Sequence, residues 1–180
     1  MTVFLYPSDD PKNAVITIRQ YSARCCIGAG GVSLDKIEGD NCTPIGLWPL
    51  RRVFFRPDKI TIDNSKLQSV ALTHKMAWSD DPRDKNKYNS LVELPYNYSH
   101  EALWRNDDLY DIIIEVGYND QPVIANRGSA IFIHVAKNDF QPTAGCIGMK
   151  KSDLLFLLTL LSHSENINVK EVSPFHKTPV

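Results

Sequence analysis

Gly128-Ser129-Ala130-Ile131-Phe132-Ile133-His134-Val135-Ala136 decides how the rest of this chain is read. The run is β-branched and aromatic, opens after a glycine, and is apolar on consecutive positions at Ile131-Phe132-Ile133. A strand with only one covered face alternates apolar and polar residues, so an unbroken apolar run predicts a strand covered on both faces and central in its sheet. Leu109 to Val116 carries the same signature at Ile112-Ile113-Ile114. Further runs of this kind, Ala14 to Arg19, Leu47 to Phe55 and Asn168 to Val172, are bounded by Gly, Pro, Asn or Asp and predict additional strands. The expected class is mainly β, within the α+β range.

Helical signals are fewer. Ser152 followed by Asp153 and a leucine-rich run predicts a helix start, since a hydroxyl cap and an early carboxylate suit the exposed amides and dipole of that end. Ser99 to Asn106 reads as a second, short helix with Ser99 as its cap. Between them in character lies Ser79 to Arg105, whose Asp80-Asp81-Pro82-Arg83-Asp84-Lys85 opening, Pro95 and tyrosines read as a long irregular excursion, functional or mobile. No repeat or Gly/Ser linker interrupts the chain, and 180 residues suit one domain over 1–180.

The bulk numbers remove several functions. A formal net charge of -1 and a pI near 6.5 supply no field for a phosphate backbone, so nucleic acid is not an expected partner. The longest apolar run, Leu154 to Leu161, is far short of the roughly 20 residues that cross a bilayer, and no transmembrane segment is expected. The N-terminus has no positive region ahead of a sustained apolar stretch, so as written the chain is expected in the cytoplasm; a signal on a longer gene product would move it to the cell-wall side. The four cysteines, Cys25, Cys26, Cys42 and Cys146, show no disulfide framework and are expected to be reduced.

Chemistry concentrates where the central strand ends. His134 closes an otherwise apolar strand, and Cys146 follows in the Gly-flanked turn Pro142-Thr143-Ala144-Gly145-Cys146-Ile147-Gly148. A thiol needs a nearby base to become a nucleophile, and imidazole supplies one. Gly145 admits a substrate carbonyl close to the backbone, which makes the amides around Gly145 and Cys146 candidate oxyanion donors. By residue type alone, a satisfied structural histidine and a buried structural cysteine remain open readings of the same pair.

The order of an apolar strand ending in His134, a loop, and then Thr143, Gly145, Cys146 and Ile147 resembles the active-site signature of the L,D-transpeptidase (YkuD-like) family. Upstream, Thr43-Pro44-Ile45-Gly46-Leu47-Trp48 is similar to the family's Thr-Pro-x-Gly-x-aromatic segment leading into a strand, and Gly30-Gly31-Val32, Trp104 to Asp111 and Gly117 to Asp120 extend the likeness over about residues 25 to 160. The resemblance implies a β-sandwich with a mixed sheet and a few peripheral helices, without cofactor or metal. It implies peptidoglycan stem peptides as substrate, with Cys146 attacking the bond between a diamino acid and a terminal D-alanine and His134 moving the proton. An amine resolving the thioester gives transpeptidation, and water gives L,D-carboxypeptidation. Departures from the family pattern are Ala144, where many members have a second histidine, Gly148, where many have Arg or Asn, and a shorter His-to-Cys spacing. A non-catalytic peptidoglycan-binding module is the competing class.

Tyr118 and Asn119, in a hairpin-like turn after a central strand, are candidates to line the cleft, as is Thr143; Arg127 would grip a carboxylate through its guanidinium fork. Each has an ordinary turn or surface reading beside it. Trp78 with Asp80 and Asp81 reads either as part of a lid or as a packed ring beside a solvated acidic turn. Cys42 is the rival nucleophile, and Cys25, Cys26, Cys42 and a histidine lack the spacing of a zinc site. His74, His100, His163 and His176 sit in polar contexts, and Gly28-Ala29-Gly30-Gly31 lacks the strand-to-helix setting of a phosphate loop.

Overall fold

A computed structural model describes residues 2–63 and 65–171. Its elements run β1 (Thr2–Tyr6), β2 (Ala14–Ile18), β3 (Tyr21–Cys26), β4 (Val32–Ser33), β5 (Thr43–Pro44), β6 (Gly46–Phe55), β7 (Gln68–Ala71), β8 (Met76–Ser79), β9 (Ser90–Glu93), β10 (His100–Ala102), β11 (Ile112–Val116), β12 (Phe132–Val135), β13 (Ile147–Met149), α1 (Lys151–Leu160) and β14 (Asn166–Val169). Short 3-10 turns cover Pro11–Asn13 and Asn138–Phe140.

The main sheet is ordered β11-β12-β13-β3-β2-β1-β14-β6-β7. It folds back on itself through β6, whose first half pairs with β14 and whose second half pairs with β11. The sheet is mixed, as expected: β12 runs parallel to β13 and β1 parallel to β14, while β11, β3 and β2 meet their neighbours antiparallel.

The consecutive apolar runs do what their pattern predicts. All of β11 and β12 is buried, and the period of two splits their residues between two cores. Ile112, Ile114, Ile131, Ile133 and Val135 join the larger core, which also takes Leu154, Leu157 and Leu158 of α1. Ile113 and Phe132 turn to a smaller core with Phe54, Trp78, Leu103 and Tyr110. His134, two residues after Phe132, is carried by that alternation to the same face as this second core. Burying each of these side chains is worth about 1.5–3 kcal/mol, so a one-residue slip of β12 is strongly opposed.

The region expected to be irregular is so only in part. Within Ser79 to Arg105 the short strands β9 and β10 pair on either side of β8, which ends at Ser79, and the resulting three-stranded antiparallel sheet lies over the face bearing Phe132. Its polar composition hid it: the strands are three and four residues long, and their inward residues are few. Trp78 is one of them, packed edge-on against Phe54 and Phe132, so its role is in the core. The predicted helix at Ser99 to Asn106 is therefore corrected to strand β10, because its backbone groups are taken by β8.

The remaining elements shift at their ends. The strand expected at Asn168 to Val172 runs from Asn166 to Val169; Val172 and His176 lie outside the described residues. Helix α1 begins at Lys151, so Ser152 falls inside the first turn, and no side chain caps the helix. Lys151 Nζ instead pairs with the fully buried Asp111 carboxylate at 2.7 Å, fixing the helix start to the edge of β11. The Gly117 to Asp120 segment is not a tight hairpin turn but the first part of a long β11–β12 connection. Cys25, Cys26, Cys42 and Cys146 are free thiols, and among the described residues no helix is long and apolar enough to cross a membrane.

Candidate active site

His134 sits on buried β12 and Cys146 immediately precedes β13, so the parallel pairing of those two strands, His134 opposite Gly148, delivers both to the same end of the sheet. Both line one cavity of about 300 Å³, together with Tyr110, Glu101, Arg105, Lys137, Ala130 and Thr143. His134 is nearly inaccessible to solvent, and its Nδ1 lies 2.9 Å from the Val135 carbonyl oxygen. A carbonyl only accepts, so Nδ1 carries the proton and Nε2 holds the free lone pair in the neutral ring. The Tyr110 ring stands edge-on to the imidazole at 5.3 Å and fixes its plane.

The cysteine turn is built by threonines. Thr143 Oγ1 accepts from the Gly145 amide at 3.1 Å and donates to the Cys146 carbonyl at 2.6 Å. Thr43, fully buried in β5, donates to the Gly145 carbonyl at 2.8 Å and accepts from the Gly28 amide at 3.0 Å. The upstream Thr-Pro segment and the Gly-Cys turn, a hundred residues apart, thus meet at one hydroxyl. Gly145 has φ +135°, and a side chain there would meet the Cys42 carbonyl oxygen at 2.9 Å, so only glycine fits.

The Cys146 thiol donates to the Ala130 carbonyl at 3.1 Å. Burial pushes its pKa up to about 12, assisted by the charge of Glu101 and partly offset by the Phe132 amide and Lys36. Burial likewise lowers His134 to about 4, against the favourable pull of the Val135 carbonyl. Both groups are neutral at rest in the one cavity they line, with the thiol proton directed to the Ala130 carbonyl.

The other expected residues divide. Thr143 lines the cavity, while Tyr118, Asn119 and Arg127 do not. The Tyr118 hydroxyl donates to the Arg127 carbonyl at 2.5 Å, and Asn119 clasps Ile124 and Gly128, so these residues close the β11–β12 connection upon itself. Arg127 is exposed on its outside. The Gly145 amide is occupied by Thr143, which removes it as an oxyanion donor in this arrangement. Cys42 does not line the cavity, and its thiol faces the Gly30 and Asp40 carbonyls. His74 and His163 are exposed and His100 half-buried, and Asp81 holds Arg83. Among the described residues no group of three or more His, Cys, Asp or Glu side chains is placed to hold a metal.

Sequence reasoning missed Asn89, Glu101, Tyr110 and Lys137. Asn89 Oδ1 accepts from the Trp78 indole and the Ala130 amide, and its Nδ2 donates to the Tyr118 and Asn119 carbonyls. One buried amide therefore ties the small sheet to the peptide that receives the Cys146 thiol. Its positive φ of 54°, tolerated by Asn, leaves no signal in a polar loop sequence.

The model of the YkuD family, the L,D-transpeptidase catalytic domain, matches residues 11–169. No curated protein matches the chain. Among solved structures, the chain is similar to the helical cell shape determining protein Pgp2 from Campylobacter jejuni, at 16% identity and a TM-score of 0.49, covering 95% of this chain and 48% of that one. It is similar also to Mycobacterium tuberculosis L,D-transpeptidase 1, at 10% identity and a TM-score of 0.40, covering 94% and 59%. The chain spans less than two thirds of the length of either.

Proposed function

The chain belongs to the L,D-transpeptidase catalytic-domain family, and from that premise we propose that it is a cysteine acyltransferase of peptidoglycan stem peptides, with Cys146 as nucleophile and His134 as base. The observation that carries the reading is the convergence of both side chains on one cavity, with the cysteine held in a turn that only Gly145 and two threonine hydroxyls can make.

In the first step His134 Nε2 takes the thiol proton as sulfur attacks the carbonyl that joins the diamino acid to the terminal D-alanine. The carbon–nitrogen bond breaks, the imidazolium returns the proton to the departing D-alanine amine, and a thioester remains on Cys146. An amine attacking that thioester gives a new peptide bond; water gives a carboxylate and frees the stem peptide. Because the Gly145 amide is engaged, the Cys146 amide is the backbone donor assigned to the oxyanion. Two neutral partners in a buried cavity favour proton transfer concerted with attack over a standing thiolate–imidazolium pair.

The test is mass spectrometry of the protein incubated with a disaccharide tetrapeptide, with and without a free D-amino acid, beside Cys146→Ala. Loss of D-alanine alone identifies a carboxypeptidase, and D-amino acid exchange or cross-linked dimers identify a transpeptidase. Absence of any Cys146-dependent change returns the chain to the class of binding modules.

A further inference from the structure

Glu101 places a carboxylate in the cavity with the reacting sulfur, where charge alone opposes the chemistry. It comes from β10, in the small sheet, and its side chain keeps about a third of its surface open. Oε1 accepts from the buried Tyr110 hydroxyl at 2.5 Å; Oε2 has no hydrogen-bond partner among the described residues. The nearest cation does not satisfy it. Arg105 Nη1 is 4.0 Å away, beyond hydrogen-bond reach, because its guanidinium is committed through Nε and Nη2 to both oxygens of Asp107. Asp80, also in the cavity wall, adds a second negative charge; burial raises the Glu101 carboxyl, opposed by the Tyr110 hydroxyl and Arg105 and assisted by Asp80.

The charged and titratable groups that share the cavity with Cys146 or act on it are Glu101 and Arg105 from the small sheet's side, Asp80, Tyr110, His134 from β12, Lys137 and Glu38, with Cys26 from β3 and the Asp40-bound Lys36. Of these, Glu101 is the carboxylate whose charge makes the thiol harder to ionise, and Arg105, at 4.0 Å and without a hydrogen bond to it, offsets that charge only in part. A carboxylate in that position is intelligible if the ligand brings the missing cation. We propose that Glu101 is a specificity-determining residue which receives a primary ammonium group of the acyl donor beside the Cys146 sulfur. The inference rests on the acyl-transfer reading of Cys146 and adds the donor chemistry the cavity selects.

Ammonium binding at Oε2 forms a charge-assisted hydrogen bond and cancels the field that protects the thiol. A cationic donor is thereby bound and eases its own attack, whereas a donor with that amine blocked meets an unarmed cysteine. Lys137, exposed at the cavity rim and without an ion-pair partner among the described residues, stands ready for a carboxylate on the same donor.

The experiment compares two tetrapeptide donors, one with the side-chain amine of its diamino acid free and one with it acetylated, on the intact protein and on Glu101→Gln, which still accepts the Tyr110 hydroxyl. The wild type is expected to favour the free amine, and the substitution to lower the ratio of the two kcat/KM values by about tenfold. In parallel, iodoacetamide is expected to alkylate Cys146 several-fold faster at pH 8.5 in Glu101→Gln, opposite in sign to the loss of turnover. A purely structural Glu101 would slow both. An unchanged donor ratio, or unchanged or slower alkylation, overturns the proposal while leaving Cys146 acyl transfer standing. Absence of Cys146-dependent turnover of either donor by the wild type overturns both readings.

Discussion

Thr143 Oγ1 donates to the Cys146 carbonyl oxygen at 2.6 Å while accepting from the intervening Gly145 amide, so a single hydroxyl sets the backbone angle at which the sulfur enters the cavity. Thr143→Ser keeps both bonds and is expected to retain most acylation. Thr143→Val has the same volume but leaves two partly buried backbone groups unpaired. It is expected to cost about 1–3 kcal/mol in stability, and at least about tenfold in acylation rate. Urea unfolding and carbapenem adduct mass against time measure the two effects, and equal behaviour of Val and wild type would remove Thr143 from the site.

His134→Gln is expected to lower kcat by about 10²–10⁴ while stem-peptide binding changes little, the signature of a lost general base. Cys146→Ala is expected to abolish turnover. Single-turnover acylation followed by mass spectrometry separates the two.

The acid limb of kcat/KM is expected far below the ordinary imidazole value, because burial lowers His134 to about 4 and leaves it a competent base at pH 5.5. Stability follows the same shift. The unfolded imidazole, near 6.5, takes a proton before the folded one does, so stability is full above that value and falls as pH drops toward 4. The loss attributable to His134 is on the order of 3 kcal/mol, and His134→Gln should flatten it. Cys146, raised to about 12, acts in the other direction: the unfolded thiol ionises first, so stability declines as pH rises above about 9. Chemical denaturation at pH 5, 7.5 and 9.5 tests both signs.

Gly145→Ala is expected to fold poorly or lose acylation altogether, since φ +135° disfavours any side chain and the new methyl would press on the Cys42 carbonyl at 2.9 Å. Thr43→Val should reproduce part of this loss from a hundred residues away by freeing the Gly145 carbonyl and the Gly28 amide. If Thr43→Val acylates at the wild-type rate, the two segments do not cooperate in shaping the turn.

At the start of α1, Ser152→Ala is expected to change stability by less than about 0.5 kcal/mol, because Ser152 is not the cap. Asp111→Ala should be far more costly, since it removes the fully buried carboxylate on which Lys59 and Lys151 meet and leaves Lys59 with Asp108 alone. Thermal melts of the pair decide whether a cap or an ion pair anchors this helix.

The sequence by itself determined the central strands and singled out His134 and Cys146 as the candidate pair. Ile112-Ile113-Ile114 and Ile131-Phe132-Ile133 can be satisfied only between two apolar layers, and the period of two that divides them also fixes which way His134 turns. Cys146 was legible because glycine and threonine at fixed short offsets leave a local signature. What only the tertiary structure decided is everything that reaches the site across the chain: the small sheet that β9 and β10 build on β8, the Asn89 tie, the Thr43 hydroxyl on Gly145, and Glu101 in the cavity that Cys146 lines. Tyr118, Asn119 and Arg127 lay near the site in sequence order but close a loop upon itself. The physical reason is the same in each case. Periodicity and turn chemistry act over a few residues and are written locally, whereas a hydrogen bond or a charge acts between groups brought together by strand pairing, and pairing partners far apart in the chain leave no mark on either sequence alone.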